Sequence, residues 1–379
     1  MTVYLDHNAT TPIDPRVLAA MQPYLAAAYG NASSLHRLGR LSRAAVETAR
    51  EQVAGLLGAH PAEVVFTSGG TEANNAALKG VAAMRRGGRV LVSAIEHASV
   101  LETAQALGPF GWKCTALPVG EDGRVSPAGL EAGLTADTAL VSVMWANNET
   151  GVIHDLPRLA TQAKEAGALF HTDAVQAAGK IPVDFAASGA DLLSISGHKI
   201  YGPKGVGALL VRRGLTLEPL VHGSTQEKGR RGGTENVAGI VGLGAAAELA
   251  AGEMQARDAC QRVLRQRMEV QLAERLPEAV VFAAGTERLS NTVFFAIPGV
   301  DGETLLMQLD RRGFALSAGA ACAGARDPSH VLLAMGVPHD LARGAVRLSL
   351  GHDNTEAHVD AFVEALVVEC NALRERAWM

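Results

Sequence analysis

Apolar runs of strand length recur along the first half of the chain, at residues 64–67, 90–93, 114–117, 140–144, 168–171, 192–195 and 206–211. Their apolarity is continuous rather than alternating, the pattern of strands covered on both faces. The segments between them carry helical spacing, as in Leu38, Leu41, Ala45, Ala49, Val53 and Leu56, or Leu156, Leu159, Ala163 and Ala166. Strands that alternate with helices predict an α/β architecture built on a mostly parallel sheet.

Beyond residue 211 the rhythm changes. A Gly-rich, charged loop at 222–234 leads into a helical stretch that runs to about residue 276, with Arg, Glu and Gln on its outer face. A strand at 292–296, a helix capped by Asp301, a loop of small residues around Cys322, a strand at 345–350 and a last helix to Ala372 follow. This second pattern reads as a smaller α+β unit. At 379 residues, two such units are what the length allows.

Several function classes are excluded by composition. Apolar residues make up 48% and charged ones 19%, enough to bury a core. The net charge is −5, and Arg85-Arg86 and Arg230-Arg231 are isolated basic pairs, so no nucleic-acid footprint is expected. The segment from Met1 to His7 lacks the basic start and apolar centre of a signal peptide. No segment is expected to span a membrane, and the closest, 239–252, reads as a packed helix. Cys114, Cys260, Cys322 and Cys370 lie far apart with no CxxC pair, which predicts neither a zinc site nor disulfides and places the chain in a reducing cytoplasm.

Polar motifs follow the predicted strands one after another: Thr67-Ser68-Gly69-Gly70-Thr71-Glu72, Glu96-His97, Asn147-Asn148-Glu149, His171-Thr172-Asp173 and Ser196-Gly197-His198-Lys199. In a parallel sheet these positions gather at the carboxyl edge, where α/β enzymes bind ligands. The turn Ser68-Gly69-Gly70-Thr71 matches neither nucleotide fingerprint, yet its amides suit an anion at the start of a helix near Glu72. Lys199 ends a buried strand, where desolvation lowers an amine's pKa and makes it a usable nucleophile and base. Such an amine, with the Asp173 carboxylate delivered by the preceding strand, is what pyridoxal phosphate chemistry asks of a protein.

Each of these residues also has a plainer reading. Lys199 could be a solvated charge, Asp173 a helix cap and His97 a satisfied core histidine. The clustering favours a site, in which His97 could stack on a ring and move protons. Cys114, Cys260 and Cys370 fit the buried, inert norm on strand or helix patterns, whereas Cys322 sits in a loop with little to pack against. Arg347 interrupts an apolar strand, and a buried arginine needs an anion such as an amino-acid carboxylate.

At this point the chain resembles the cysteine desulfurases of the class V aminotransferase group. The likeness runs nearly end to end, through Tyr4-Leu5-Asp6-His7-Asn8-Ala9-Thr10-Thr11-Pro12, Gly30-Asn31-Ala32-Ser33-Ser34, the strand-end motifs above, Asp173-Ala174-Val175-Gln176 and the Cys322 loop. It implies a fold type I pyridoxal phosphate enzyme. The large cofactor-binding domain would span 14–255, and the smaller α+β domain 1–13 and 256–379.

By the same resemblance Lys199 would hold the cofactor covalently, Asp173 would meet the pyridine nitrogen and Gln176 the phenolic oxygen, and His97 would stack on the ring. Gly70, Thr71, Ser196 and His198 would surround the phosphate, joined by Thr234 of a partner subunit in a homodimer. Asn148 and Arg347 would bind the substrate carboxylate. Cys322 would take sulfur from L-cysteine as a persulfide, release alanine and pass the sulfur to an iron-sulfur scaffold or sulfur carrier. No resident metal is implied, only passing contact of Cys322 with an iron-sulfur unit. The chain departs from the common family pattern at Ala318 and Ala320, where serines are usual, and at Trp145, where a histidine is frequent. The rival readings are a selenocysteine lyase, another class V aminotransferase-type enzyme, and a cofactor-free scaffold in sulfur-transfer assembly.

Overall fold

Alternate residues of the apolar runs face opposite ways, and on each side they meet a layer of helices. The computed structural model describes residues 2–318 and 327–377. Its strands are β1 (Val3–Tyr4), β2 (Val64–Thr67), β3 (Gly88–Ser93), β4 (Trp112–Leu117), β5 (Thr138–Ser142), β6 (Leu169–Asp173), β7 (Leu192–Ser196) and β8 (Gly207–Val211). Further along lie β9 (Val280–Val281), β10 (Thr292–Ala296), β11 (Phe314–Ala315), β12 (Ser317–Ala318) and β13 (Ala345–Ser349).

Seven strands form one sheet in the order β2-β8-β7-β6-β5-β3-β4. Only β8 runs against the others: it is antiparallel to both β2 and β7, while β7-β6-β5-β3-β4 pair in parallel. Val64, Phe66, Leu91, Val141, Leu193 and Leu210 join one buried cluster, and Val65, Val90, Val92, Leu140, Leu192 and Leu209 join another on the opposite face. Fully burying each such side chain contributes roughly 1.5–3 kcal/mol. The two-sided cover read from the sequence is present for all but the edge strand β4, whose central residues are largely exposed.

That edge corrects one expectation. Cys114 lies on β4 and is exposed, as is Cys260 on the outer face of the helix Val237–Arg275; of the three, only Cys370 is buried. A strand with a single neighbour, β3, keeps less cover than a central one.

A second sheet, β12-β13-β10-β9, is antiparallel throughout, and β1 pairs in parallel with β11. Behind it a further cluster gathers Leu5, Phe295, Leu309, Leu348, Phe362 and Leu366. Asp301 caps the helix Gly302–Arg311 as read, accepting from the Thr304 amide at 2.9 Å, and the last helix, Glu356–Ala377, outruns the expected end.

Val237–Arg275 gives Ile240, Leu243, Ala247 and Ala250 to the first core cluster and Leu264, Met268 and Leu272 to this one. Contrary to the expectation from sequence, this helix is long and apolar enough over part of its length to cross a membrane, with mean hydropathy 1.4 in that window. Half of the window is buried inside the protein, because it packs against the helices Pro15–Ala26 and Arg37–Leu56.

Candidate active site

Parallel β6 and β7 end side by side, with Asp173 paired to Ser194, so whatever follows them opens on the same edge. Asp173 is buried, and both its oxygens are held: Oδ1 accepts from the Val175 amide at 2.9 Å and Oδ2 from Asn74 Nδ2 at 2.7 Å. Asn74 also donates to Ser99 Oγ at 2.8 Å, and Ser99 Oγ lies 2.8 Å from His97 Nδ1. A chain of hydrogen bonds therefore runs from the carboxylate to the imidazole. Burial lowers the pKa of His97, Asp173 opposes the shift, and Lys199 and His330 reinforce it, so these four groups share one electrostatic neighbourhood.

Lys199 closes the short turn Gly197–Lys199 after β7 and donates to the backbone oxygens of Asn8 at 2.5 Å and Ala9 at 2.6 Å. The turn is secured by residue 201. Tyr201 has a left-handed backbone, φ 66°, and its amide donates to Thr11 Oγ1 at 2.8 Å. Gln176, buried, gives its Nε2 to the same Asn8 oxygen at 2.9 Å. His198 contacts Thr10 Oγ1 through Nδ1 at 3.1 Å, and burial, then Lys199 and Lys204, lower its pKa to about 4.

The glycine turn lies beside them. The helix Gly70–Ala83 begins at Gly70, two residues before the expected start, and no side chain caps it, so its first amides remain available to a ligand. A Cβ on Gly70 would stand 2.8 Å from Val175 Cγ2 and 3.5 Å from Ser196 Cβ, which puts Gly70, Ser196 and the Asp173–Gln176 turn side by side. Thr71 is exposed on that first turn. Thr234, also exposed, lines a different cleft with Thr67, Ser68 and Gly205. Its loop is fastened by Glu227, whose carboxylate takes both Arg50 guanidinium nitrogens at 2.8 Å. Breaking a buried pair of this kind costs about 3–5 kcal/mol.

Arg347 differs from the expectation. Its fork already has an anion in the protein: Nη2 donates to Asp6 Oδ1 at 2.7 Å and Nη1 to the Asn148 oxygen at 3.0 Å. Nε is buried and has no partner among the described residues. Arg347 and Asn148 are thus adjacent, joined to the lysine side of the site by Asn8, whose Nδ2 donates to the Asn148 oxygen at 3.2 Å. Cys322 lies outside the described residues. The segments that flank it can be placed: Ser317 pairs with Arg347, Ser329 Oγ bonds Glu149 Oε2, and His330 Nε2 lies 3.0 Å from the Glu96 oxygen.

Four residues to which sequence reasoning assigns no role of their own shape this site: Asn74 and Lys180, which stand outside the motifs quoted above, and Asn8 and Glu96, which lie within them. Asn8 belongs to a motif noted above, but its contacts span more than 280 residues and no periodicity reports them. Glu96 is fully buried, accepting from Ser93 Oγ and the Met144 amide at 2.6 Å each, while its Oε2 has no partner.

Burial raises the pKa of Glu96 from 4.5 to about 8 and that of Glu149 to about 7. Folded, they hold protons that the unfolded chain releases above pH 4.5, so stability is full below that value and falls as pH rises towards 8. Glu96→Gln, which imitates the protonated acid, is expected to stabilise the protein by roughly 3 kcal/mol at pH 7 and by little at pH 5. Urea unfolding at both pH values checks this, and an equal difference at both would contradict it.

The candidate site lies at the carboxyl edge of a seven-stranded sheet, with lysine, aspartate and histidine following three of its strands. The aminotransferase class-V pattern matches residues 3–362. Cysteine desulfurase 2 of Trichormus variabilis is 46% identical over 96% of this chain and 92% of its own length. Cysteine desulfurase IscS of Dictyoglomus turgidum is 45% identical over 96% and 93%. Among solved structures, a NifS-like protein superposes with a TM-score of 0.92 at 38% identity, covering 98% of this chain and 100% of that one. The apo cysteine desulfurase of Thermococcus onnurineus gives 0.88 at 26% identity over 98% and 95%. The chain belongs to the cysteine desulfurase branch of the class V aminotransferase family.

Proposed function

We propose that this chain takes sulfur from L-cysteine with pyridoxal phosphate, leaving alanine and a persulfide on Cys322. One observation carries the reading: the Lys199 amine and the Asp173 carboxylate issue from adjacent parallel strands and act on the same half-buried imidazole, that of His97.

The residues present fit the cofactor in kind. Uncapped amides at Gly70 and Thr71, with Ser196 and His198, are donors suited to a phosphate, and the close contact at Gly70 leaves no room there for a side chain. Asp173, held by Asn74 and the Val175 amide, keeps one orientation and would face the ring nitrogen. Gln176 would donate to the phenolic oxygen. When bound, the pyridine ring supplies an electron sink for charge developing on the substrate.

The chain's own groups do the rest. Lys199, with a short reach from the Asn8 and Ala9 carbonyls, takes the proton from the substrate's α-carbon. His97, held through Ser99, moves a proton on the opposite side. Asn148 and Arg347, adjacent in the structure, are the groups that would receive the substrate carboxylate. The Cys322 thiolate bonds to the substrate sulfur as the carbon–sulfur bond breaks; the electron pair and a proton stay with the carbon fragment, which leaves as alanine. The placing of Ser317 beside Arg347, and of His330 beside Glu96, supports a thiol delivered to this site.

Two copies would complete each other's phosphate site through Thr234, and the persulfide would pass to an iron-sulfur scaffold or sulfur carrier in the cytoplasm. Purified protein incubated with pyridoxal phosphate, L-cysteine and a thiol reductant is expected to form alanine and sulfide in equal amounts. Turnover of selenocysteine with negligible turnover of cysteine would reassign it as a selenocysteine lyase. Protein that stays colourless with pyridoxal phosphate would be a scaffold.

A further inference from the structure

A second lysine lies beside the first. Lys180 is seven residues beyond Asp173, and its Nζ sits 2.5 Å from Gln176 Oε1 and 3.1 Å from Asn8 Oδ1. Asn8 thus receives Lys180 on its side chain and both Lys199 and Gln176 on its backbone oxygen. Two lysines and a glutamine meet on one asparagine. Asn8 is itself fixed, since its Oδ1 accepts from Asn291 Nδ2 at 2.9 Å and its Nδ2 donates to Thr292 Oγ1 at 2.9 Å.

From this geometry we infer that Lys180 is a positioning residue that fixes which end of the Gln176 amide faces the cofactor. The inference rests on the pyridoxal phosphate reading above. Both partners of the Lys180 nitrogen are oxygens, and an amine has N–H bonds to give them in either charge state. Burial, then Lys199 and Arg347, hold this amine well below the usual lysine range, so it can act as a neutral donor. A flipped Gln176 would set its oxygen against the Asn8 carbonyl, losing that hydrogen bond, and would have to donate to the Lys180 nitrogen instead of accepting from it. Lys180 therefore keeps Nε2 on the side of the Asn8 carbonyl that also receives Lys199, with its second N–H left for a ligand. A donor there favours the ionised form of a phenolic oxygen, and an acceptor there would disfavour it.

The test is the pH titration of the visible absorbance of the pyridoxal phosphate-loaded protein. Lys180→Met removes the donor and keeps the bulk, and it is expected to raise the titration midpoint by about one pH unit, a tenfold change in the proton equilibrium. Gln176→Met should raise it in the same sense, and the double variant should add nothing further, because the lysine acts only through the amide. Lys180→Gln, which can still donate to Oε1, should restore the midpoint; it also serves if the methionine variant does not fold.

An unshifted Lys180→Met, shifts that add in the double variant, or no rescue by Lys180→Gln would each overturn the inference. Failure of the unsubstituted protein to take up pyridoxal phosphate would instead sink the reading beneath it.

Discussion

Lys199→Ala is expected to yield a folded protein that no longer binds pyridoxal phosphate covalently and forms alanine from L-cysteine at least ~10³-fold more slowly, the scale on which a positioned base contributes. The variant leaves the Asn8 and Ala9 carbonyls without their lysine partner. The Asn8 oxygen keeps Gln176 and Ala9 is only half-buried, so the fold is expected to stand. Borohydride reduction followed by peptide mass analysis reads the covalent bond directly. A reduced adduct that persists would mean another amine is used, and Lys180, bonded to the same asparagine, is the first to examine.

Cys322→Ala separates cofactor chemistry from sulfur transfer. The protein is expected to keep its yellow colour and its reducible bond to Lys199, because none of the groups argued to hold the cofactor is altered. Alanine formation from L-cysteine under reducing conditions should fall by roughly 10³-fold or more, as when a nucleophile is removed from a set that acts as a unit. Full activity would reject the thiol relay. The two variants together place the fault: one loses colour and turnover, the other turnover alone.

Much of this was legible in the sequence because the sheet is buried on both sides. Continuous apolar runs marked the seven main strands to within a few residues, and the polar motifs after them fell where parallel strands end. The direction of β8 was not legible, since a run covered on both faces reads the same whichever way it points. Strands of two residues, such as β1, β9, β11 and β12, are too short to show a period. The exposure of Cys114 depends on β4 having one neighbour, a property of strand order rather than of the strand.

Among site residues, Lys199, Asp173 and His97 announced themselves by following apolar runs. Asn74 and Lys180 did not, because a buried polar group is recognised by its partners, and Asp173 lies far off in the chain from Asn74 as Asn8 does from Lys180. Arg347 was read correctly as needing an anion, but that anion turned out to include Asp6, which β1 brings beside β13.

The helix Val237–Arg275 is one rod with its two ends sunk in different cores. Fraying at either end loosens packing that the other end shares, so melting is expected to run as one concerted event. A protease that nicked the rod midway would leave two fragments, each lacking part of its own interior, and neither would survive as an independent piece.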